Sequence, residues 1–571
     1  MVNSLLMSRV NPVSQPYPQG YKISNMNMRV VVVGGVAGGM SAAARLRRLD
    51  ESAEIIVVER SGYVSFANCG LPYHVGGVIP DRSALLLQTP QALYNRFRLD
   101  VRVGVEAVQI NRQAREVVVR DLATGREEVL PYDKLILSPG AKPLMPPIPG
   151  IERALPLRNV EDTDRMVSAV EGARTAVVVG GGFVGLEVAE NLLHRGMQVA
   201  VVEALPQVMA PLDPEMVAPV HEVMRAAGID LRLGSGVTAI GETDVTLADG
   251  SVLQADVVVA AIGVRPDTEL AKAAGLTVGP RGGLLVDECQ RTNDPAIYAV
   301  GDAVEKVDAL SDESVLVPLA NTANLQGRRV ADDIAGVGRP ARPVRGTAIV
   351  GLLGLQVAAT GWNEKRLRAA GRDYLAIHTH PASHATYYPG ASTMALKLLV
   401  DPATGEILGA QGVGRDGVDK RIDVIATAMA GGLPAQDLAE LELAYAPQFG
   451  SAKDAINMLG FIAENRLSGW EHSIQWHEVA EAQAAGAVVV DVRTPGEFAA
   501  GAIPGAVNIP VDDLRERLAE LPDGDAPLIL HCGVGIRSHA ALAALKGSGR
   551  MVLNLDGGYT TWKAGSGIAV G

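Results

Sequence analysis

The 571-residue chain holds only three cysteines, Cys69, Cys289 and Cys532. That is no disulfide framework, and a reducing, cytoplasmic setting is expected. No uninterrupted apolar run reaches the ~18 residues that a membrane span requires, so no membrane partner is expected. Positive charge is in deficit: 51 Lys and Arg against 64 Asp and Glu leave a net charge of -13. This argues against nucleic acid or an anionic membrane as partner, while leaving room for a local basic pocket around a phosphorylated ligand. Residues 1–27 lack the apolar core of a signal peptide and read as a flexible tail. There is no low-complexity tract, and no metal site is expected.

What is present points to several α/β domains. At roughly 100–200 residues per domain the length predicts three to five, and a hydrophobic fraction of 48% suits buried parallel strands. A β-branched run at 28–33 ends in Gly34-Gly35-Val36-Ala37-Gly38-Gly39, followed by a helical stretch and a strand that closes on Glu59. The pattern returns from 175, with Gly180-Gly181-Gly182-Phe183-Val184-Gly185 and a strand closing on Glu203. Small residues between a strand and a helix let backbone N–H groups and the helix N-terminus meet a pyrophosphate. An acid at the end of the second strand can accept hydrogen bonds from ribose hydroxyls. One such turn is a weak signal, but two predict a protein of two dinucleotide sites. The second copy matches G-x-G-x-x-G in full, whereas the first carries Val36 at the middle glycine.

On these motifs residues 28–463 resemble the two-dinucleotide-fold flavoprotein disulfide reductases, the pyridine nucleotide-disulfide oxidoreductases. The resemblance implies an FAD-binding domain at 28–149 and 270–345, an NAD(P)H-binding domain at 150–269 and an α+β dimerisation domain at 346–464. Gly34, Gly35, Gly38, Gly39 and Glu59 would serve FAD. Gly180, Gly182, Gly185 and Glu203 would serve NADH or NADPH. The segment 298–303 matches the family's return to the flavin, which assigns Gly301 and Asp302 to FAD. Glu203 would repel a 2′-phosphate and no arginine follows it at once, so NADH is the expected donor. An active site shared between subunits implies a homodimer.

Cys69 lies in Ser-Phe-Ala-Asn-Cys-Gly-Leu-Pro-Tyr-His, 65–74. Dithiol members of the superfamily place a second cysteine five positions on, where this chain has His74. Cys69 must then pair with a small thiol, form a persulfide or cycle through a sulfenate. A helix start beside it is expected to favour the thiolate. The segment resembles the coenzyme A disulfide reductase and NADH-dependent persulfide reductase branch. That resemblance assigns a CoA-linked substrate to Arg45 and Arg48 on the first helix, Ser65 and Asn68 near the thiol, and Lys453. It also assigns Tyr387 and Tyr445 to the partner subunit's cysteine, where a phenol can supply a proton. Cys289 matches no redox motif and is expected to be structural.

A linker is expected at 465–475, and residues 476–571 resemble a rhodanese domain. The signature includes Asp491-Val492-Arg493, Ile503-Pro504-Gly505-Ala506 and Cys532-Gly533-Val534-Gly535-Ile536-Arg537. Four residues separate Cys532 from Arg537, one fewer than in related phosphatases, which favours a sulfane sulfur over a phosphate. Its amides and the following helix would hold an anionic persulfide on Cys532. The expected activity is reduction of CoA disulfide, CoA persulfide or polysulfide, with the rhodanese domain relaying sulfur. The alternatives are an NADH oxidase or peroxidase cycling through a sulfenate, or a persulfide sensor or carrier.

Overall fold

The structure, a computed structural model, describes residues 28–521, 524–546 and 549–567. The expected tail at 1–27 lies outside them. The chain builds from strands rich in valine. Arg29–Val33 reads RVVVV, and Val30, Val31 and Val32 have no exposed surface. A strand covered on both faces takes an apolar residue at every position, and burying each valine stabilises by roughly 1.5–3 kcal/mol relative to exposure.

The first sheet is parallel, in the order Ile297–Ala299, Lys134–Leu137, Arg29–Val33, Glu54–Glu59, Asp100–Val103. Its helices Ala37–Leu49 and Ala320–Ile334 pack tightly on one another. Gly327 permits this approach, because a Cβ there would collide with the carbonyl of Gly38. Between Lys134–Leu137 and Ile297–Ala299 the chain builds a second parallel sheet. Its order is Asp230–Leu233, Gln198–Glu203, Thr175–Val179, Val257–Ala260, Ala154–Leu155. The third sheet is antiparallel, from Ala348–Leu352 to Leu375–Thr379, and is backed by the helices Val418–Gly431 and Ala455–Leu467.

The last sheet is again parallel, running Ser473–Ile474, Val552–Leu555, Leu528–His531, Val488–Asp491, Val507–Asn508. Of the stretch read from sequence as a linker at 465–475, the beginning and 473–474 are built into elements, while 468–472 and 475 lie outside helices and strands. The helix Ala455–Leu467 runs into it and Ser473–Ile474 joins the last sheet. Glu471 is buried between them, accepting from Asn554 Nδ2 at 2.9 Å and bonded to His539. The polar composition that suggested a linker marks these pairings.

A buried charged cluster joins the last domain to the rest. His378, in Leu375–Thr379, donates its backbone N–H to the Asp556 carboxylate at 3.1 Å and meets Asp556 through Nδ1 at 2.5 Å and Glu215 through Nε2 at 3.0 Å. Arg466 reaches the other Asp556 oxygen at 2.6 Å. Asp213, Glu215 and Glu364 converge closely enough to suit a cation, and the Lys397 ammonium occupies that position, 3.0 Å from Asp213 and bonded to both glutamates. Burial opposes charge on His378, but Asp556 and Glu215 outweigh it and lift the imidazole to about 9. Asp556 is likewise opposed by burial, yet Arg466 and His378 hold it down to about 2.

Candidate active sites

The two dinucleotide turns open into one continuous cleft of about 1800 Å³, lined by Gly34, Gly182, Cys69, Arg158, Glu187 and Asp302 among others. Gly34 and Gly180 end their strands at φ of +100° and +109°, left-handed conformations that favour glycine. A side chain on either would strike the carbonyl of Ser138 or Ala261, and one on Gly39 or Gly185 would strike the carbonyl of Gly34 or Gly180. Gly182 differs: a Cβ there would meet nothing within 4 Å, since its face is turned to the cleft. Val36 occupies the equivalent helix-capping position in the first turn.

The two acids behave alike. Glu59 accepts from Gly35 N at 2.7 Å and Ser61 N at 2.8 Å; Glu203 accepts from Gly181 N at 2.7 Å and Leu205 N at 2.9 Å. Each carboxylate is fixed against its glycine turn and keeps acceptor capacity for a ribose. Burial raises Glu59 above the usual carboxylate range, against the pull of those amides.

Cys69 sits in the short turn Asn68–Gly70, before the five-residue helix Leu71–Val75, and is exposed to the cleft. The expected lowering of its thiol is not found: though its surface opens to the cleft, partial desolvation by the surrounding protein and the nearby Glu187 carboxylate push it up, while Arg158 opposes them. One short helix does not outweigh a carboxylate. Asn68 Nδ2 donates to the Arg158 carbonyl at 3.3 Å, and Arg158 pairs with Asp302 at 3.1 Å. Ser65 takes a left-handed φ of 46° and donates its N–H to Gly35 O at 2.9 Å, tying the cysteine segment to the first glycine turn. Tyr73 donates to Glu187 at 3.2 Å; burial and that carboxylate push the phenol up to about 12. His74, where a second cysteine would stand, bonds Ile79 O through Nδ1 at 2.7 Å.

Arg45 is held by Asp332 at 2.7 Å and Arg48 lies over the Phe97 ring at 5.0 Å. Neither projects as an unengaged charge. Lys453 is exposed on the antiparallel domain. Tyr387 and Tyr445 come together, their hydroxyls 3.0 Å apart, and stand 75% and 49% exposed beside the exposed Phe449. Cys289 is half-buried, and burial together with a hydrogen bond to Asp333 lifts its thiol to about 11.

The second thiol has a different setting. Cys532 follows the strand Leu528–His531, is 1% exposed, and its Sγ receives Gly535 N–H at 3.1 Å and the Ser538 hydroxyl at 3.6 Å. The helix Ile536–Leu545 starts at the end of this loop. Arg537 is clamped by both Glu497 oxygens, at 2.6 and 2.8 Å.

The description "Pyridine nucleotide-disulphide oxidoreductase" matches residues 28–327, and that family's dimerisation domain matches 347–455. The chain belongs to the pyridine nucleotide-disulphide oxidoreductases. A rhodanese-like domain matches residues 475–565 of this oxidoreductase. It is 35% identical over 441 residues, 76% of the chain, to the whole of a coenzyme A disulfide reductase of Staphylococcus aureus. The reduced Bacillus anthracis CoADR-RHD structure matches with a TM-score of 0.93 at 47% identity, covering 94% of this chain and 98% of that one. The NAD-dependent persulfide reductase of A. fulgidus matches at 0.88 and 37%, covering 94% and 100%.

The oxidoreductase family binds FAD and NAD(P)H, and the residues present fit both. Each turn offers a helix N-terminus and a fixed acid; the second also has a glycine face open to the cleft. Arg158 and Glu187 are neighbours of Cys69 that sequence reasoning missed. Glu187 had a readable signal, lying one helical turn beyond Phe183 of the second glycine motif. Arg158 had none.

Proposed function

We propose that this enzyme uses NADH to reduce CoA disulfide and CoA persulfide or polysulfide sulfur, with Cys532 relaying sulfane sulfur. The observation that carries the reading is the isolation of Cys69. His74 stands in the place of an internal partner and bonds Ile79 O, and on this reading the second sulfur arrives with the substrate. Bound in the cleft lined by Gly34, Glu59 and Asp302, FAD would supply two-electron chemistry between the nicotinamide nucleotide and sulfur at Cys69.

Cys69 as thiolate displaces one thiolate from CoA disulfide and forms a mixed disulfide. Two electrons then cleave that bond, regenerating Cys69 and releasing the second CoA thiolate; two protons complete two thiols. With CoA persulfide the same two electrons and protons give CoA thiol and hydrogen sulfide. Arg158 opposes the upward push on the Cys69 thiol. Tyr387 and Tyr445, exposed and hydrogen-bonded together, supply protons across a dimer interface to the partner's Cys69. Ser65 and Asn68 position the thiol segment. Arg45, Arg48 and Lys453 hold the nucleotide end of CoA, which requires Arg45 to exchange Asp332 for phosphate. Glu203 favours the free 2′-hydroxyl of NADH, and equal kcat/KM with NADPH would overturn that preference.

The deciding experiment is anaerobic NADH oxidation against CoA disulfide, CoA persulfide, polysulfide and elemental sulfur, with sulfide measured. Turnover on the CoA substrates is expected. Oxygen or peroxide consumption without it would replace this reading with the oxidase.

A further inference from the structure

Lys306 is 5% exposed and has no place in the reaction just described. Its ammonium donates to two carbonyls, Gly301 O at 2.9 Å and Val317 O at 3.0 Å. Both acceptors belong to segments of the cleft wall: Gly301 and Asp302 on one side, 316–320 on the other. Cys69 and Asp302 are close enough to influence each other, which sets the reactive end of the cleft at this wall.

The charges around Lys306 compensate it only in part. Asp302 is engaged by Arg158 at 3.1 Å. Glu305 turns its carboxylate to the amides of Arg281, at 2.7 Å, and Gly283, at 3.2 Å. Val315 faces Lys306 across the two-stranded ladder, and Gln326 of the helix Ala320–Ile334 accepts from Gly301 N at 2.9 Å. Arg158, Asp302 and Lys306 therefore sum to one positive charge, with the N-terminus of Ala320–Ile334 on the same wall. Burial drives the Lys306 ammonium down to about 8, against the attraction of Asp302. A cation kept in such a place is stabilised by any negative charge that arrives nearby.

We propose that Lys306 is a positioning residue that sets the redox poise of the enzyme: its buried charge, one carbonyl behind the cleft wall, favours the electron-rich state of bound FAD. The proposal rests on the family's FAD and not on the identity of the sulfur substrate. A failed substrate assay and a failed prediction here are therefore separate results.

The test is the two-electron reduction potential of the flavin in the full-length wild type, Lys306→Gln and Lys306→Arg, with FAD content measured on each. Glutamine can still donate to both carbonyls but carries no charge; arginine keeps the charge. The Gln variant is expected to lose at least tenfold in the equilibrium constant for reduction, a fall of about 30 mV for two electrons, and Arg to restore most of it. A flavinated Gln variant with wild-type potential would overturn the proposal and leave Lys306 as a carbonyl clamp. Should the Gln variant retain no FAD, the potential is followed against pH in Cys69→Ser, where the thiol no longer titrates. Reduction should then take up one extra proton above pH 8, steepening the slope by ~30 mV per unit. An unbroken slope there would equally sink the idea.

Discussion

The two sulfur sites solve opposite problems. Cys69 lies on the wall of an open cleft among Arg158, Asp302 and Glu187, groups that move its proton affinity both ways. Cys532 is 1% exposed beneath one amide and one hydroxyl, with the nearest guanidinium already clamped by Glu497. A site that exchanges electrons with a cofactor needs access and tunable charge. A site that only holds sulfur needs fixed donors and little solvent. On the proposed function, the two thiols would divide labour by surroundings and not by intrinsic reactivity.

The largest effect expected is from Cys69→Ser. It should retain FAD and fold yet fall to background on every disulfide and persulfide, measured as anaerobic NADH oxidation. Near-normal turnover on CoA disulfide would end the comparison, because Cys532 would then be reducing disulfides.

Breaking the joint between the domains comes next. Asp556→Ala leaves His378 and Arg466 buried without their carboxylate, and losing one partner of a buried pair costs about 3–5 kcal/mol. The last domain should unfold first in a denaturant titration, with protease cutting near 465–475, while FAD stays bound. A single unchanged transition would show that apolar contacts alone hold the joint.

Cys532→Ser sharpens the comparison from the other side. CoA disulfide reduction should stay near wild type, since no sulfane sulfur moves in it, while sulfide release from polysulfide slows partially. Small persulfides can still reach Cys69 directly. Wild-type rates on all sulfane substrates would make the last domain structural or regulatory.

The smallest effect is the pH dependence of the joint. His378 is raised from 6.5 to about 9, so its contribution is full below 6.5 and is lost as pH rises through about 9. Asp556 is lowered from 3.8 to about 2, so its contribution is full above 3.8 and is lost as pH falls through about 2. Docking should be firmest at mildly acidic pH and loosen toward pH 9, followed by hydrogen exchange in Val552–Leu555. His378→Gln should flatten the alkaline limb; an unaltered limb would place the titrating group elsewhere.

Much of this was legible in the sequence because it is local. A valine run followed by glycines and closed by an acid specifies strand, turn and helix within about 30 residues. The missing cysteine at 74 and the six-residue loop at 532–537 are likewise contiguous, and the family resemblance gives them their expected chemistry. What tertiary structure alone decided are charges brought together from distant segments. Desolvation, and then Glu187 from the second nucleotide domain, raise the Cys69 thiol that a helix start was expected to lower. Asp332 occupies Arg45, Glu497 occupies Arg537, and Lys306 is enclosed with carbonyls for partners. The polar stretch at 465–475 read as a linker because its partners, His539, Asn554 and the strand Val552–Leu555, lie far along the chain, 68 and 83 residues from Glu471 in the first two cases. Periodicity and spacing report the backbone a segment will adopt; the field at a side chain depends on what folds against it, and that information is spread across the whole chain.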